Sequence, residues 1–448
     1  MFVLLHTIIY AFYCEVIQMA IGHVRSVVNR TLLSLSVSIC LGISTQSYAQ
    51  QDTTDLPIMN SSILVSSAAA GGADASEAYT FQFIYDQAVK TDNKELLALI
   101  SAATSDKERA MLAGELTPDR SGMTVKGALI SQDLFARAVQ RRTSDFLFGD
   151  SARSSFWGGY LGGELNHYAA TDNMNRFDGF NADMSGFAFG FDKSVANNIV
   201  IGVAFSNQNV KAESRLLNKT IDIDSYQSAL YGTMSWEYLV ISGRALVGWN
   251  ANQTDRLIGE GSDHIEKLDA HGRFNSISTS LQFDIQSPIY WNQFDFSPIL
   301  SVSYSWIKAE EYQENYEREY DKKGNLVLNS GSPAALNYDA QVYDELNIGL
   351  GFVGGFSHNI NGGVISIRSG IYADYEVLNR DLTSTVRLVS GGDKFTVAVN
   401  PYADQQYRSF VELGWESNTA WSLNVGGEYQ WGDQQDGYLF FGKAVYSF

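Results

Sequence analysis

The sequence is poor in cysteine, proline and basic residues, and past residue 50 it has no long apolar run. Its two cysteines, Cys14 and Cys40, both lie in the first 40 residues. A chain trimmed of that region has no thiol, which excludes disulfides and thiolate metal sites from it. Lysine and arginine number 31 against 50 acidic residues, a net charge of −19. Such a chain has no basic face for a phosphate backbone, so nucleic acid is not an expected partner. Beyond residue 50 nothing approaches the roughly 18 to 20 apolar residues of a membrane helix. That absence excludes helical spans alone. Barrel strands alternate apolar and polar residues, so a mean hydropathy of −0.13 leaves a membrane barrel open. Against 6 prolines stand 39 glycines, 24 tyrosines and an aromatic content of 13%.

Residues 1–49 read as a targeting segment. Arg25 and Arg30 precede the apolar run Thr31 to Ile43, and Ser47-Tyr48-Ala49 offers small residues for cleavage before Gln50. The run is short for an anchor. The front stretch, Met1 to Gln18, has its own apolar run, which places the expected start at Met19. Once residues 1–49 are removed, 29 basic residues face 49 acidic ones. Residues 50–78 are rich in Ser, Ala, Gly and Asp and are expected to be a flexible linker or a vestigial exported segment. Residues 79–149 are expected to be helical. Leu96, Leu97 and Ile100 share a face, as do Leu134, Phe135, Ala138 and Val139. Thr117-Pro118-Asp119 breaks the first helical stretch, and Gly149 ends the second.

From about residue 150 to Phe448 the period of apolar residues is 2. Phe294, Phe296, Pro298, Leu300, Val302, Tyr304 and Trp306 take one face of a strand, with Asp295, Ser297, Ile299, Ser301, Ser303 and Ser305 on the other. Trp421 to Trp431 and Ile277 to Ile285 repeat the scheme. Strands are also expected near 155–169, 183–193, 198–210, 222–236, 239–252, 341–356, 363–377, 405–416 and 437–448. That makes about twelve, an even number, as a single-chain bacterial barrel requires. The links alternate long and short: long at 170–181, 211–220, 253–270, 308–340 and 378–404, short at 194–197, 237–238, 291–292, 357–362 and 417–420. The final link, 432–436, breaks the contrast. Long loops at one end and short turns at the other belong to an outer-membrane barrel, and a soluble sandwich has no reason to segregate them. The expected fold is all-β with an N-terminal helical segment: a twelve-stranded antiparallel transmembrane β-barrel.

The last stretch, Gly437 to Phe448, puts Tyr438, Phe440, Tyr446 and Phe448 on one face. It resembles the closing strand of bacterial outer-membrane proteins, in which a terminal Phe with alternating aromatics is read by the assembly machinery. Together with Leu112-Ala113-Gly114-Glu115-Leu116 and the stretch Phe135 to Arg142 with its paired arginines, residues 76–448 resemble the translocator domain of type V autotransporters. That resemblance implies a barrel threaded by an N-terminal helix, through which a passenger reaches the cell surface of a Gram-negative bacterium. It implies outer-membrane lipid, the barrel assembly machinery and periplasmic chaperones as partners, and a monomer. A passenger in that family normally spans hundreds of residues, whereas about Gln50 to Ala75 is available here, without internal repeats. The expected function is therefore translocating or anchoring a very short segment. The alternative is a passenger-less barrel acting as surface adhesin, porin-like channel or envelope structural protein.

If the last helix fills the lumen, Arg137, Arg141 and Arg142 face inward-pointing acids such as Asp284, Asp295, Glu412 and Glu428 and plug the pore. The alternative is a periplasmic helix with solvated arginines. The loop 308–340 contains AEEYQENYEREYDKKG, which reads as a solvated charged face or a cation- or surface-binding loop. No enzyme, cofactor or metal site is expected. Gly149-Asp150-Ser151 resembles the nucleophile block of GDSL-type esterases, but no hydrolase domain surrounds it and no G-x-S-x-G elbow is present. Asn166-His167 resembles the outer-membrane phospholipase, yet Ala169 stands where that family has its serine. His264 and His271, beside Asp263 and Asp269, offer a faint likeness to rim-site barrel proteases. No cysteine–histidine metal cluster or phosphate-binding loop is present.

Overall fold

The computed structural model describes residues 63–146, 154–172, 175–262, 265–315, 332–378, 380–400 and 405–448. The targeting segment with both cysteines, Gly149-Asp150-Ser151, Asp263, His264 and most of the charged loop lie outside them.

Twelve long strands form the barrel: β1 (Ser155–His167), β2 (Phe180–Ala196), β3 (Ile199–Ser214), β4 (Lys219–Ser235), β5 (Val240–Ile258), β6 (Leu268–Gln286), β7 (Phe294–Ala309), β8 (Gln341–Ile360), β9 (Gly363–Glu376), β10 (Gln405–Ser417), β11 (Trp421–Gly432) and β12 (Gln435–Ser447). Each pairs antiparallel with its sequence neighbours. β12 pairs back onto β1 from Ser155↔Ser447 to His167↔Gln435, so the sheet closes without a free edge. Phe448 continues that seam through two backbone bonds with Ser154, of 2.9 and 3.2 Å.

The alternation seen in sequence is the alternation of environment. On β6, Ile277, Leu281 and Phe283 point outward and are exposed, while Ser276, Ser278, Ser280 and Asp284 are buried inside. Aromatics band the outer wall at two heights. Near the short-link end stand Phe156, Trp236, Tyr238, Trp291, Trp421, Tyr446 and Phe448, and toward the other end stand the register pairs Tyr226–Trp249 and Tyr429–Tyr438. This is the profile of a wall against lipid.

Among the described residues five helices precede the barrel: α1 (Ile63–Ala70), α2 (Ala75–Lys90), α3 (Lys94–Ala102), α4 (Asp106–Leu116) and α5 (Met123–Asp145). The stretch 50–78, expected as a flexible linker, therefore contains all of α1 and the start of α2. Alanine-rich sequence is strongly helix-forming. Asp74 accepts from the Glu77 amide at 2.7 Å and Glu77 accepts from the Asp74 amide at 3.0 Å, a reciprocal cap that starts α2. Ala68 and Ala78 are fully buried against the other helices. Within the helical segment expected over 79–149, the rest of α2 with α3 and α4 sits on the rim and α5 enters the lumen.

Several strands run beyond their expected ends, β3 to Ser214, β5 to Ile258 and β6 from Leu268. The extensions keep one face buried, as Ala212 and Ile221 show, because Met123 of α5 packs there. Above this rim the β7–β8 and β9–β10 links contribute a four-stranded sheet from Tyr312–Gln313, Leu336–Tyr338, Thr383–Leu388 and Phe395–Ala398.

Candidate functional site: the lumen and its helix

At about 1.5 Å per residue a helix of this length spans roughly 34 Å, enough to run through the hydrocarbon thickness of a bilayer. Its ends fix its direction. Near the start of α5 Lys126 Nζ lies 2.7 Å from His167 Nε2, at the long-link end of β1. At its finish Lys443 Nζ bonds Asp145 Oδ2 at 2.6 Å, near the short-link end. One side of α5 packs closely on β3 and β4. Gly127 faces Ile223, and a Cβ there would stand 2.6 Å from its Cδ1. Ser131 donates to Gln208 at 2.8 Å and accepts from Gln227 at 2.9 Å.

The other side carries charge. Arg137 and Arg141 converge on Glu428 of β11. Arg137 Nη1 donates to Oε1, and Arg141 Nη2 donates to Oε2 at 2.9 Å. Arg137 also pairs with Asp133 one turn back along the helix. Arg141 lies over the Phe441 ring, 3.5 Å from its centroid. Arg142 turns to a different wall. Its Nε and Nη2 bond the two oxygens of Asp192 on β2 at 2.7 and 2.8 Å, a bidentate pair. Asp192 also accepts from Tyr231 at 2.9 Å, and Tyr231 accepts from Trp157 at 2.7 Å. Asp192 is fully buried, so the guanidinium offsets the desolvation of that carboxylate.

Of the four acids expected to face these arginines, Glu428 bonds them directly and Glu412 lines a cavity with Arg137 and Arg141. Asp284 pairs with Arg244 of β5 at 2.6 Å and reaches α5 through Gln140 at 3.4 Å. Glu412 accepts from Asn424 at 2.7 Å. Asp295 is buried, and its Oδ2 has no hydrogen-bond partner. Asp192, Asp133 and Asp145 are the acids sequence reasoning missed. Asp192 sits at an inward position of β2, so period-2 counting carried the signal, but nothing in the sequence said which wall Arg142 would meet.

Between α5 and the opposite wall remains a cavity of about 110 Å³, lined among others by Asp133, Arg137, Ser303, Glu345 and Asp374. It is polar and large enough for a few waters. His271 pairs with Asp255 at 2.5 Å, not with Asp269, and its backbone bonds Asn315 in both directions. His167 is enclosed by Lys126 and the Phe180 ring. The charged loop is not wholly a solvated face. Its Glu314 is buried on Arg256 (2.6 Å), and Tyr312 stacks between Phe274 and Tyr338. Among the described residues no group of three His, Cys, Asp or Glu side chains is placed to hold a metal, and no helix is long and apolar enough to cross a membrane.

Comparison with known proteins follows the same lines. The family described as "Autotransporter beta-domain" matches residues 156–430. Among solved structures, the translocator domain of autotransporter NalP from Neisseria meningitidis is similar at TM-score 0.52, over 71% of this chain and 98% of that domain. At 13% identity this likeness bears on the fold. The outer membrane protein pmp21 of Chlamydia pneumoniae is 28% identical over 138 residues, 28% of this chain. Outer membrane protein A of Rickettsia conorii is 26% identical over 154 residues, 32% of this chain. The matched stretch spans 8% of the length of each of those relatives.

Proposed function

The chain belongs to the autotransporter beta-domain family, a barrel of the outer membrane, and we propose that α5 serves as lumenal plug and as anchor for a segment displayed at the cell surface. The observation that carries this reading is the attachment of α5 at two places on the wall: Arg137 and Arg141 on Glu428 of β11, and Arg142 on Asp192 of β2. Buried pairs of this kind contribute little net stability against an apolar alternative, but breaking one is costly. They fix the register of a helix that could otherwise slide. On this reading residues 1–49 are the export leader, 50–78 and the following helices are cargo, and α5 with 150–448 is the translocator. Phe440, Tyr446 and Phe448 then form the signal read by the assembly machinery after periplasmic chaperones deliver the chain. The barrel acts as a monomer without chemistry of its own. Arg137, Arg141 and Arg142 hold the plug, and Asp284, Asp295 and Glu412 tune the lumen wall around it.

Lys94 at the head of α3 has a side chain 81% exposed and suits a topology test. On intact cells, Lys94→Cys is expected to react with a membrane-impermeant maleimide. Labelling that appears only after the outer membrane is permeabilised sinks the display reading. A purified barrel with a large, steady conductance in planar bilayers sinks the plug and favours the channel alternative.

A further inference from the structure

A helix that ends inside protein must place the carbonyls of its last turn. α4 ends at Leu116, 1% exposed, between the tips of β4 and β5. Two cations of the barrel rim meet it there. Lys219, the first residue of β4, brings Nζ to 2.7 Å from the Thr117 carbonyl, 3.3 Å from that of Gly114 and 3.4 Å from that of Pro118. Arg256 near the end of β5 donates Nη1 to the carbonyls of Glu115 (2.9 Å) and Leu116 (3.4 Å). Its other edge is held by Glu314 and by the Ala334 carbonyl at 3.0 Å. Cations at a helix C-terminus complement its dipole, and both of these are removed from water, where the attraction is stronger.

The grip is reciprocal. The Glu115 carboxylate accepts the amides of Gly259 (2.7 Å) and Gly261 (3.2 Å) in the β5–β6 link. Gly259 has φ +85°, and a Cβ there would stand 2.4 Å from the Glu266 carbonyl, so glycine alone presents that amide in that turn. Ser262 in the same link donates to Glu108 at 2.7 Å. The apolar surface is shared as well: Phe81, Ile84, Leu96 and Leu112 lie in one buried cluster with Ile258 of β5 and Leu336 of the rim sheet. A bundle of this size has little surface to bury on its own, and it completes its core with barrel side chains.

We infer that the rim of this barrel is a binding site for the folded α1–α4 bundle, captured end-on at the α4 C-terminus by Lys219 and Arg256, so that the cargo is retained on the mouth as a cap. The identification of the bundle as cargo rests on the surface reading above. The docking does not, and is tested on the purified full chain in detergent.

Arg120, directly after α4, is 4% exposed, with Nη1 bonded to Asp74 at 2.8 Å, so trypsin reaches it only when the bundle lifts. Three proteins are compared: wild type, Lys219→Met/Arg256→Met, and that double variant carrying Met111→Cys/Gly261→Cys. The Met111 Cβ lies 3.1 Å from where a Gly261 Cβ would stand, a few tenths of an ångström short of disulfide spacing. Cleavage after Arg120, read by mass spectrometry, is expected to be about tenfold faster in the double variant, since proteolysis follows the population of the open form. The oxidised staple is expected to restore the wild-type rate, and reduction to abolish the rescue. A double variant as resistant as wild type overturns the inference, as does rapid cleavage of the stapled protein. If the double variant loses the heat-modifiable gel band of a folded barrel, Arg256→Lys replaces it. That substitution keeps the charge but loses the guanidinium fork, and an unchanged cleavage rate overturns the inference equally. Periplasmic labelling of Lys94→Cys beside clamp-dependent cleavage defeats the surface reading and leaves the docking standing.

Discussion

Glu428 bears two of the three helix arginines, and its side chain is 3% exposed. Removing its charge leaves Arg137 and Arg141 facing each other in a confined space, with Asp133 the remaining partner of the first. Glu428→Gln is expected to cost about 3–5 kcal/mol of barrel stability, the usual penalty for breaking a buried pair. Urea denaturation followed by the loss of gel heat-modifiability measures it. Lys90→Ala, which breaks an exposed pair with Asp393, is the control and should shift nothing. Equal effects from the two changes would remove Glu428 from the anchor. At this scale the sequence was half legible. The arginines were readable as recurring on the last helix, and Glu428, like Asp284, was readable as inward by counting in twos. Which acid meets which arginine was not readable, because that depends on how α5 is rotated in the lumen.

At the scale of elements, the rim bundle carries carboxylates that respond to pH in opposite senses. Burial is the main cause that raises Glu77 and Glu115 above their ordinary value of 4.5. Their contribution is complete below 4.5 and is lost as pH rises through the raised values. Glu108 runs the other way. Bonds from the Ser105 amide, then Ser262 and Thr104, hold it at about 2, so its contribution is complete above 4.5 and is lost as pH falls toward 2. Below the range in which Lys219 titrates, at about 8, docking of α1–α4 is therefore expected to be firmest near pH 4.5 and to weaken on both sides. The thermal midpoint of the helical far-ultraviolet signal, taken in wild type and Glu77→Gln, checks this. The variant should decline less on the alkaline side, and parallel curves count against the assignment. Helix ends are local features, and Asp74 to Glu77 and Ser105 to Glu108 both follow the capping-box spacing. The part of 50–78 that the structure describes is helical from Ile63, and the cap at Asp74 was a local signal that composition did not carry.

For the whole molecule, the barrel has an outside that must be greasy and an inside that must match one helix. Leu230 on the outer face of β4 is 63% exposed. Leu230→Arg should cost about 2–4 kcal/mol if the site is near mid-membrane, whereas Asp222→Arg, further up the same face toward the rim, should cost about 0–1 kcal/mol. Urea titrations in lipid vesicles compare them, and equal costs would contradict the placement of the belt. The sequence by itself determined the twelve strands and the greasy outer face, while the contrast of links held only in part, since the β3–β4 link, 215–218, is as short as the β4–β5 link, 236–239. A period of 2 and the spacing between turns are properties of neighbouring residues. The tertiary structure alone decided that α5 binds two strands of the wall, β11 through Glu428 and β2 through Asp192, and that Lys219 and Arg256 close over the end of α4. Those contacts join residues far apart in the chain, and their geometry is set only once the cylinder has closed and the helix has taken one rotation within it.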